Sequence, residues 1–218
     1  MGYQVAIDGP AGAGKSTIAK LVAKEKGFIY VDTGAMYRAL AVYFLDQGIQ
    51  AEDTDKIIQA VGQAEVKIRY EEGIQQVYLN GVNVTGRLRE EAVGNMASKS
   101  SAIPEVRAKL LDLQRGLAQE EDVVMDGRDI GTCVLPEADV KVFLTASVET
   151  RARRRYDELQ EKGVPCDLEE IKADIRERDE RDMTRETAPL CQADDAVLID
   201  SSDMTIPEVT AAIAALCK

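Results

Sequence analysis

The sequence predicts an α/β fold, a doubly wound five-stranded parallel sheet flanked by helices. Five short apolar runs lack the polar alternation of half-exposed strands, which is typical of buried parallel strands. Helical segments separate these runs, and a glycine-rich stretch follows the first of them, where such sheets bind ligands. The apolar runs are residues 3–7, 28–31, 123–125, 140–144 and 196–199.

The helical segments carry start and stop signals in their sequence. The first helix is expected over residues 13–26, directly after the glycine-rich stretch. The other signals are caps, prolines and glycines at segment ends. They are Thr33 as the cap of a segment ending at Gly48, Pro104 opening one that runs to residue 119, Ser147 before one that stops near Gly163, and the capping-box patterns Asp167/Glu170 and Thr205/Glu208.

The glycine-rich stretch fits the phosphate-binding pattern G-x-x-x-x-G-K-[ST]. Glycine allows positive φ and close approach of the backbone to an anion, so that amide N–H groups point at phosphate. Lys15 adds a positive charge, the dipole of the following helix favours anions, and the Ser16 hydroxyl is expected to bind Mg²⁺. The alternative is a glycine-rich turn with an exposed lysine. We predict that ATP is bound by Gly9, Pro10, Ala11, Gly12, Ala13, Gly14, Lys15, Ser16 and Thr17.

Composition limits the chemistry and the partners. With 218 residues and 45% apolar content, the chain is expected to form one domain, residues 1–218. The net charge of −12 argues against binding to nucleic acid or anionic membranes. The absence of histidine excludes Ser-His-Asp and Cys-His nucleophile systems, and the four cysteines form no C-x-x-C pair. We expect a cytoplasmic monomer that acts on small molecules.

Residues 65–84 depart from the alternation of strands and helices. Apolar and polar residues alternate there with a period of two, and the segment contains two hairpin signals. They predict a small antiparallel sheet inserted into the core, within a region spanning residues 33–100. A surface meander and a role in closure over the substrate are both compatible with this pattern.

Arginine is concentrated near the C-terminal end, where two predicted helices within residues 148–185 carry eight of the chain's fifteen arginines. Phosphoryl transfer needs such cations because negative charge spreads over the transferred oxygens. Acidic residues are even more frequent than arginines in this stretch, so ordinary solvated helix surfaces are the alternative. The eight are Arg151, Arg153, Arg154, Arg155, Arg176, Arg178, Arg181 and Arg185.

A carboxylate at the end of an apolar strand is placed to hold Mg²⁺ in a phosphate-binding protein of this kind. Asp126 has that position, directly after the run at 123–125. The alternative role for Asp126 is that of a turn former. Ser16 and Asp126 are therefore the candidate metal ligands.

Six segments between residue 5 and residue 185 carry a further signal. They are I-D-G-P with the loop, D-T-G-A-M-Y-R at 32–38, N-M-A-S at 95–98, I-P-E-V-R at 103–107, D-G-R-D-I-G-T at 126–132 and R-E-R-D-E-R-D at 176–182. In sequence and in order these segments resemble the bacterial cytidylate kinases, which are P-loop nucleoside monophosphate kinases.

The resemblance implies transfer of the γ-phosphoryl group of ATP to CMP or dCMP, with roles for individual residues. It implies cytosine reading by Ser98, Arg107 and Asp129. It implies contacts to the acceptor or transferred phosphate by Arg38, Arg128 and Arg185, contacts to ribose and phosphate by Arg178 and Asp182, and an acceptor pocket lined by Thr33 and Tyr37. Residues 151–155 resemble the short helical lid, from which Arg151 and Arg155 are expected to contact ATP. The candidate catalytic residues are Lys15, Asp126, Arg128, Arg178 and Arg185.

Two other functions stay open at this stage. A kinase for UMP or for a sugar-like alcohol would share the loop, and an alcohol acceptor would need a carboxylate base such as Asp129. A nucleotide-dependent switch or assembly factor would share it too, although the guanine-reading Asn-Lys-x-Asp motif does not occur.

Overall fold

A computed structural model describes residues 2–218. The strands are β1 (Gln4–Asp8), β2 (Ile29–Asp32), β3 (Val66–Glu71), β4 (Ile74–Leu79), β5 (Val82–Asn83), β6 (Val123–Asp126), β7 (Val140–Thr145) and β8 (Val197–Asp200). Five of them form a sheet in the order β2-β6-β1-β7-β8. All neighbouring pairs in this sheet are parallel, which confirms the predicted fold class.

Helices lie between and after these strands. They are α1 (Lys15–Lys26), α2 (Thr33–Asp46), α3 (Thr54–Val61), α4 (Glu91–Ser100), α5 (Pro104–Glu120), α6 (Val148–Glu161), α7 (Leu168–Thr184) and α8 (Ile206–Leu216). The start and stop signals in the sequence predict the bounds of α5 and α6 and the start of α8 closely. At the start of α8, Thr205 and Glu208 form the predicted reciprocal capping box. Across residues 2–218, every helix is too short or too polar to cross a bilayer.

Two apolar cores lie on opposite faces of the sheet, as a doubly wound fold requires. On one face Ala6 packs in a cluster with residues of α2 and α5, such as Leu40 and Leu110. On the other face its neighbours Val5 and Ile7 pack in a cluster with residues of α1 and α8. Successive residues of β1 thus serve opposite cores, because side chains alternate across a strand.

Two expectations about elements are wrong. The fifth run is not a buried strand, because β8 lies at the sheet edge and leaves Val197 and Leu198 43% and 56% exposed. Thr33 is not the cap of α2, because the Asp32 side chain accepts the hydrogen bond from the Ala35 amide at 2.8 Å. The Thr33 hydroxyl instead donates to the main-chain oxygen of Asp126 at 2.8 Å.

The predicted antiparallel insertion is confirmed. Strands β3, β4 and β5 form a separate sheet with antiparallel pairing throughout. Its two turns are the two hairpin signals in the sequence, where Gly73 and Gly81 have φ of +77° and +83°. Such φ values are accessible to glycine without the strain a side chain brings. Residues of β4 pack against α2, so the insertion contacts the helix that follows β2.

Candidate active site

The glycine-rich loop connects β1 to α1 at the carboxyl end of the central strand. Gly9 has φ of +148°, and a Cβ atom there would lie 1.9 Å from the main-chain oxygen of Leu144. Gly14 precedes the first turn of α1 with φ of +89°. Both positions require glycine, which is why the loop can present its amides and the helix N-terminus to an anion.

Lys15 is almost completely buried at the start of α1. Its Nζ atom donates to the main-chain oxygen of Pro10 at 2.8 Å, which holds the ammonium group against the loop. Burial and the nearby Arg128 guanidinium lower the pKa of Lys15, while the carboxylates of Asp126 and Asp8 act in the opposite direction. The arrangement fits a cation that is stabilised further when an anion enters the loop.

A polar cluster surrounds Asp126 at the end of β6. Its carboxylate accepts from the Ser16 hydroxyl at 2.9 Å and from the Tyr30 hydroxyl at 2.8 Å. Burial, with the Asp32 carboxylate as a second cause, raises the pKa of Asp126. Within residues 2–218 no group of three or more His, Cys, Asp or Glu side chains forms a protein-only metal cage.

One hydroxyl and one carboxylate are the kind of protein ligands that suit Mg²⁺, which keeps several waters and binds substrate phosphates. Ser16 and Asp126 therefore fit the predicted metal site. Their direct hydrogen bond places both oxygens next to the loop.

A second cluster forms around Asp129, which lies three residues after Asp126 in the turn that follows β6. The Arg107 guanidinium donates to one Asp129 oxygen, and Arg185 Nη2 lies 3.7 Å from the other. The Arg107 guanidinium also lies 5.6 Å from the centre of the Tyr37 ring. The structure thus brings together Tyr37, Arg107, Asp129 and Arg185, which the sequence places on four separate segments.

Ser98 lies on α4 and is buried, and its Oγ atom has no hydrogen-bond partner in the part of the chain described, residues 2–218. An unpaired buried hydroxyl costs free energy unless a ligand or water satisfies it. This orphaned hydroxyl is consistent with a polar ligand in the region.

Three further arginines add positive charge. Arg128 Nε donates to Asp182 at 3.0 Å, and Arg38 lies 3.7 Å from Asp32. Burial and the nearby Arg128 lower the pKa of Arg178 to about 10. Its Nε atom is buried without a partner among residues 2–218. Cations that repel one another in a buried setting are stabilised by a polyanionic ligand.

The predicted lid residues differ in placement. Arg151 is 4% exposed and joins three segments: it donates to the main-chain oxygens of Ala146 and Ala11 and pairs with Asp179 of α7 at 2.7 Å. Arg155 is exposed and pairs with Glu158 at 3.0 Å on its own helix. The structure brings Arg151 to the loop and leaves Arg155 on the surface.

Sequence reasoning missed three residues of this region. Asp8 is buried and accepts hydrogen bonds from the amides of Ile130 and Gly131, at 2.8 and 2.7 Å. Tyr30 binds Asp126, and Asp179 binds Arg151. Only Asp8 had a usable signal, since it ends the first strand directly before the loop, at the ligand-binding edge of the sheet.

The model of the family described as cytidylate kinase matches residues 5–218. The chain belongs to the cytidylate kinase family. It is 50% identical to a cytidylate kinase of Caldicellulosiruptor saccharolyticus over 205 residues, which cover 94% of this chain and 91% of that protein. It is also 50% identical to a cytidylate kinase of Streptococcus sanguinis over 211 residues, with 96% and 94% covered.

Membership in the cytidylate kinase family makes the chain a nucleoside monophosphate kinase and confirms the resemblance seen in the sequence. A solved structure of an uncharacterized protein from Eubacterium ventriosum is similar with a TM-score of 0.51 and 14% identity. It covers 98% of this chain and 96% of the other. At that identity the similarity shows the fold alone.

Proposed function

We propose that the chain transfers the γ-phosphoryl group of ATP to CMP and dCMP. The observation that carries this proposal is the Asp129–Arg107 pair, in a site that also holds the unpaired Ser98 hydroxyl and several half-buried arginines. Cytosine presents an N4 amino donor next to the N3 and O2 acceptors. A carboxylate and a guanidinium side by side match that edge.

ATP would bind with its phosphates in the loop from Gly9 to Thr17, where the α1 N-terminus and Lys15 stabilise negative charge. Ser16 and Asp126 would hold Mg²⁺, which neutralises phosphate charge when it is bound. Arg151 orders the loop through its bond to the Ala11 oxygen. Arg155 would reach ATP only after the lid moves, because its side chain now faces solvent.

The acceptor would bind on the other side of Asp126. Tyr37 and Thr33 would line the acceptor pocket, and Ser98, Arg107 and Asp129 would bind the base. The remaining contacts are assigned to groups that converge there in the structure: Arg38, Arg128 and Arg185 to the phosphates, and Arg178 with Asp182 to ribose and phosphate.

This reaction needs no general base, since the oxygen of the acceptor phosphate is already anionic. The chain's residues instead neutralise two polyanions and exclude water that would hydrolyse ATP. Lys15 would stabilise negative charge at the loop, and Arg128, Arg178 and Arg185 would stabilise it at the acceptor side. A chain without histidine is well suited to such electrostatic catalysis.

A coupled assay across CMP, dCMP, UMP and AMP tests the proposal. We expect turnover with ATP and Mg²⁺ to be fastest for CMP and dCMP. Equal or faster turnover of UMP or AMP would contradict the assignment of the base-reading residues. Steady ATP hydrolysis that CMP leaves unchanged would instead favour a nucleotide-dependent switch.

The Lys15→Met variant tests the catalytic site in the same assay. Removing the charge that stabilises the β- and γ-phosphates should lower kcat by about 100-fold or more. Lys24→Met is the matched control, because Lys24 lies on the exposed side of the same helix. Near-normal turnover of Lys15→Met would show that the loop is not the phosphate site.

We further infer that the enzyme acts as one kinase domain spanning residues 1–218, as a cytoplasmic monomer with small-molecule substrates alone. The acidic composition supports this, because it disfavours nucleic acid and anionic membranes as partners. Sedimentation of the purified chain across a range of concentrations tests the monomer. A mass that doubles with concentration would overturn it.

A further inference from the structure

The inserted sheet is attached to the active site through the free edge of β2. This strand lies at the end of the five-stranded sheet, so only one of its sides has a neighbouring strand. The Ile29 amide donates towards β6, to the Asp122 oxygen at 2.8 Å. Because hydrogen-bonding direction alternates along a strand, the main-chain groups of Tyr30 and Asp32 face the open side.

Two side chains of the insertion cover that open side. The Tyr70 hydroxyl donates to the main-chain oxygen of Tyr30 at 3.1 Å. The Gln75 amide makes two bonds to one residue: its Oε1 accepts from the Asp32 N–H at 2.9 Å, and its Nε2 donates to the Asp32 oxygen at 3.1 Å. A side-chain amide thus pairs with Asp32 as a neighbouring strand would.

Tyr70 and Gln75 lie side by side on the inserted sheet. They are directly opposite each other in the β3–β4 pairing, so their side chains lie on the same face of the inserted sheet. That face carries Val77 and Leu79, which pack into the core. A polar glutamine on this apolar face is explained by its two bonds to Asp32.

The residues held in this way lead directly to the site. The Tyr30 side chain donates to the Asp126 carboxylate, and the Asp32 side chain caps α2 at the Ala35 amide. Helix α2 carries Tyr37 and Arg38 on its first turns. Movement at the β2 edge would therefore shift the start of the helix that faces the acceptor nucleotide.

We propose that Tyr70 and Gln75 are positioning residues for acceptor binding, acting through the β2 edge. The proposal rests on the function proposed above. In this role the inserted sheet affects acceptor binding by holding β2 in place, without touching the substrate itself. ATP binding should be affected less, because the loop from Gly9 to Thr17 follows a different strand, β1, whereas Asp32 caps the helix that carries Tyr37 and Arg38.

The test compares Gln75→Leu and Tyr70→Phe with matched controls on the same sheet. Gln76→Leu and Tyr78→Phe remove the same groups from the opposite face, where Gln76 binds Asn83 and Tyr78 binds Glu71. For Gln75→Leu we expect KM and the dissociation constant for CMP to rise about tenfold, with KM for ATP within about twofold of the unmodified chain. Tyr70→Phe should change the same quantities in the same direction, and the controls should leave them unchanged.

Equal changes for CMP and ATP, or no change for either, would overturn the proposal, since both outcomes point to a purely structural insertion. If Gln75→Leu fails to fold, Tyr70→Phe decides by the same criterion, because it removes a single oxygen atom. The proposed function fails separately: in that case the unmodified chain neither binds nor phosphorylates CMP.

Discussion

In the proposed function, selection of the base depends on one carboxylate, that of Asp129. Asp129 is buried and faces Arg107 and Arg185, so its charge is compensated before any nucleotide binds. Uracil presents an acceptor at O4 and a donor at N3, the reverse of cytosine, and would leave Asp129 and Arg107 mismatched. Sites built on buried hydrogen bonds reject such mismatches strongly.

Replacing Asp129 by Ala should lower kcat/KM for CMP much more than for UMP and narrow the difference between them, because only cytosine gains from the carboxylate. Steady-state kinetics with both nucleotides measures this ratio. Asp112→Ala, on the exposed side of α5, is the control. If Asp129 only anchors Arg107, both substrates lose equally and the ratio stays at its original value.

Asp8 directly precedes the glycine-rich loop, and its carboxylate accepts hydrogen bonds from the main-chain amides of Ile130 and Gly131. It therefore links this loop to the turn that carries Asp129. Burial raises the pKa of Asp8 from 3.8 to about 6, against the effect of these two amides. The native state therefore holds the proton more tightly than the unfolded chain. The resulting stability is fully present below pH 3.8 and is lost as the pH rises through about 6.

Asp8→Asn should remove this pH-dependent part of the free energy of unfolding. The difference between the unmodified chain and the variant should change by about 3 kcal/mol between pH 3.5 and pH 7. Denaturant unfolding across that pH range measures it. Asp112→Asn makes the same substitution on the exposed side of α5 and is the matched control. Parallel curves for Asp8→Asn and the unmodified chain would contradict the assignment.

Among the elements, one arginine connects the glycine-rich loop with helices α6 and α7. Arg151 of α6 contacts the Ala11 oxygen in the loop and Asp179 of α7, and its stem packs at Gly12, where an added Cβ would lie 3.4 Å from Arg151 Cβ. The charges of Arg151 and Asp179 are both largely buried. Breaking a buried pair leaves an uncompensated charge, whereas an exposed pair contributes little.

Arg151→Ala should therefore destabilise the fold by about 3 kcal/mol and raise KM for ATP. Arg155→Ala should leave the free energy of unfolding within about 0.5 kcal/mol, because its partner Glu158 is exposed too. Loss of the proposed contact between Arg155 and ATP in the closed state should appear only as a higher KM for ATP. Thermal unfolding and ATP kinetics on both variants separate these effects. Equal destabilisation by the two substitutions would contradict this account of the lid.

In the molecule as a whole, the candidate site contains unsatisfied polar groups on two helices, α4 and α7, and on the residue that follows α7. Ser98 Oγ on α4, Arg178 Nε on α7 and Arg185 Nη2 after α7 have no hydrogen-bond partner among residues 2–218. Two bound nucleotides would supply oxygen acceptors to all of them. The arginines would then hold both polyanions, which otherwise repel each other.

Hydrogen exchange should accordingly show extra protection of residues 33–98 and 151–185 only when a two-nucleotide analogue is bound. We expect both regions to close at once only when both sets of phosphates are present, because the arginines must meet both nucleotides. Helix α8 packs on the far side of α1 and serves as the internal reference. The same protection in the free and doubly bound chain would contradict closure.

Local pattern determined most of the fold. The strand runs, the loop and the turns at Gly73 and Gly81 depend on near neighbours in the chain, which is why they could be predicted from the sequence. Helices α3 and α4 escaped prediction because α3 is only eight residues long and α4 carries Gly94 in its middle. Both are helical because they pack in the core, as tertiary contacts override weak propensity.

For the site, the sequence by itself determined the phosphate loop, the Asp126 position and the identity of the charged residues. Tertiary structure alone decided which charges meet: that Arg151 turns inward and Arg155 outward, that Asp8 holds the turn at 130–131, and that Gln75 pairs with Asp32. The partners that lie on different elements are between 28 and 140 residues apart in the chain. No periodicity along the chain encodes such pairs, because burial and hydrogen-bond geometry exist only after the elements have packed.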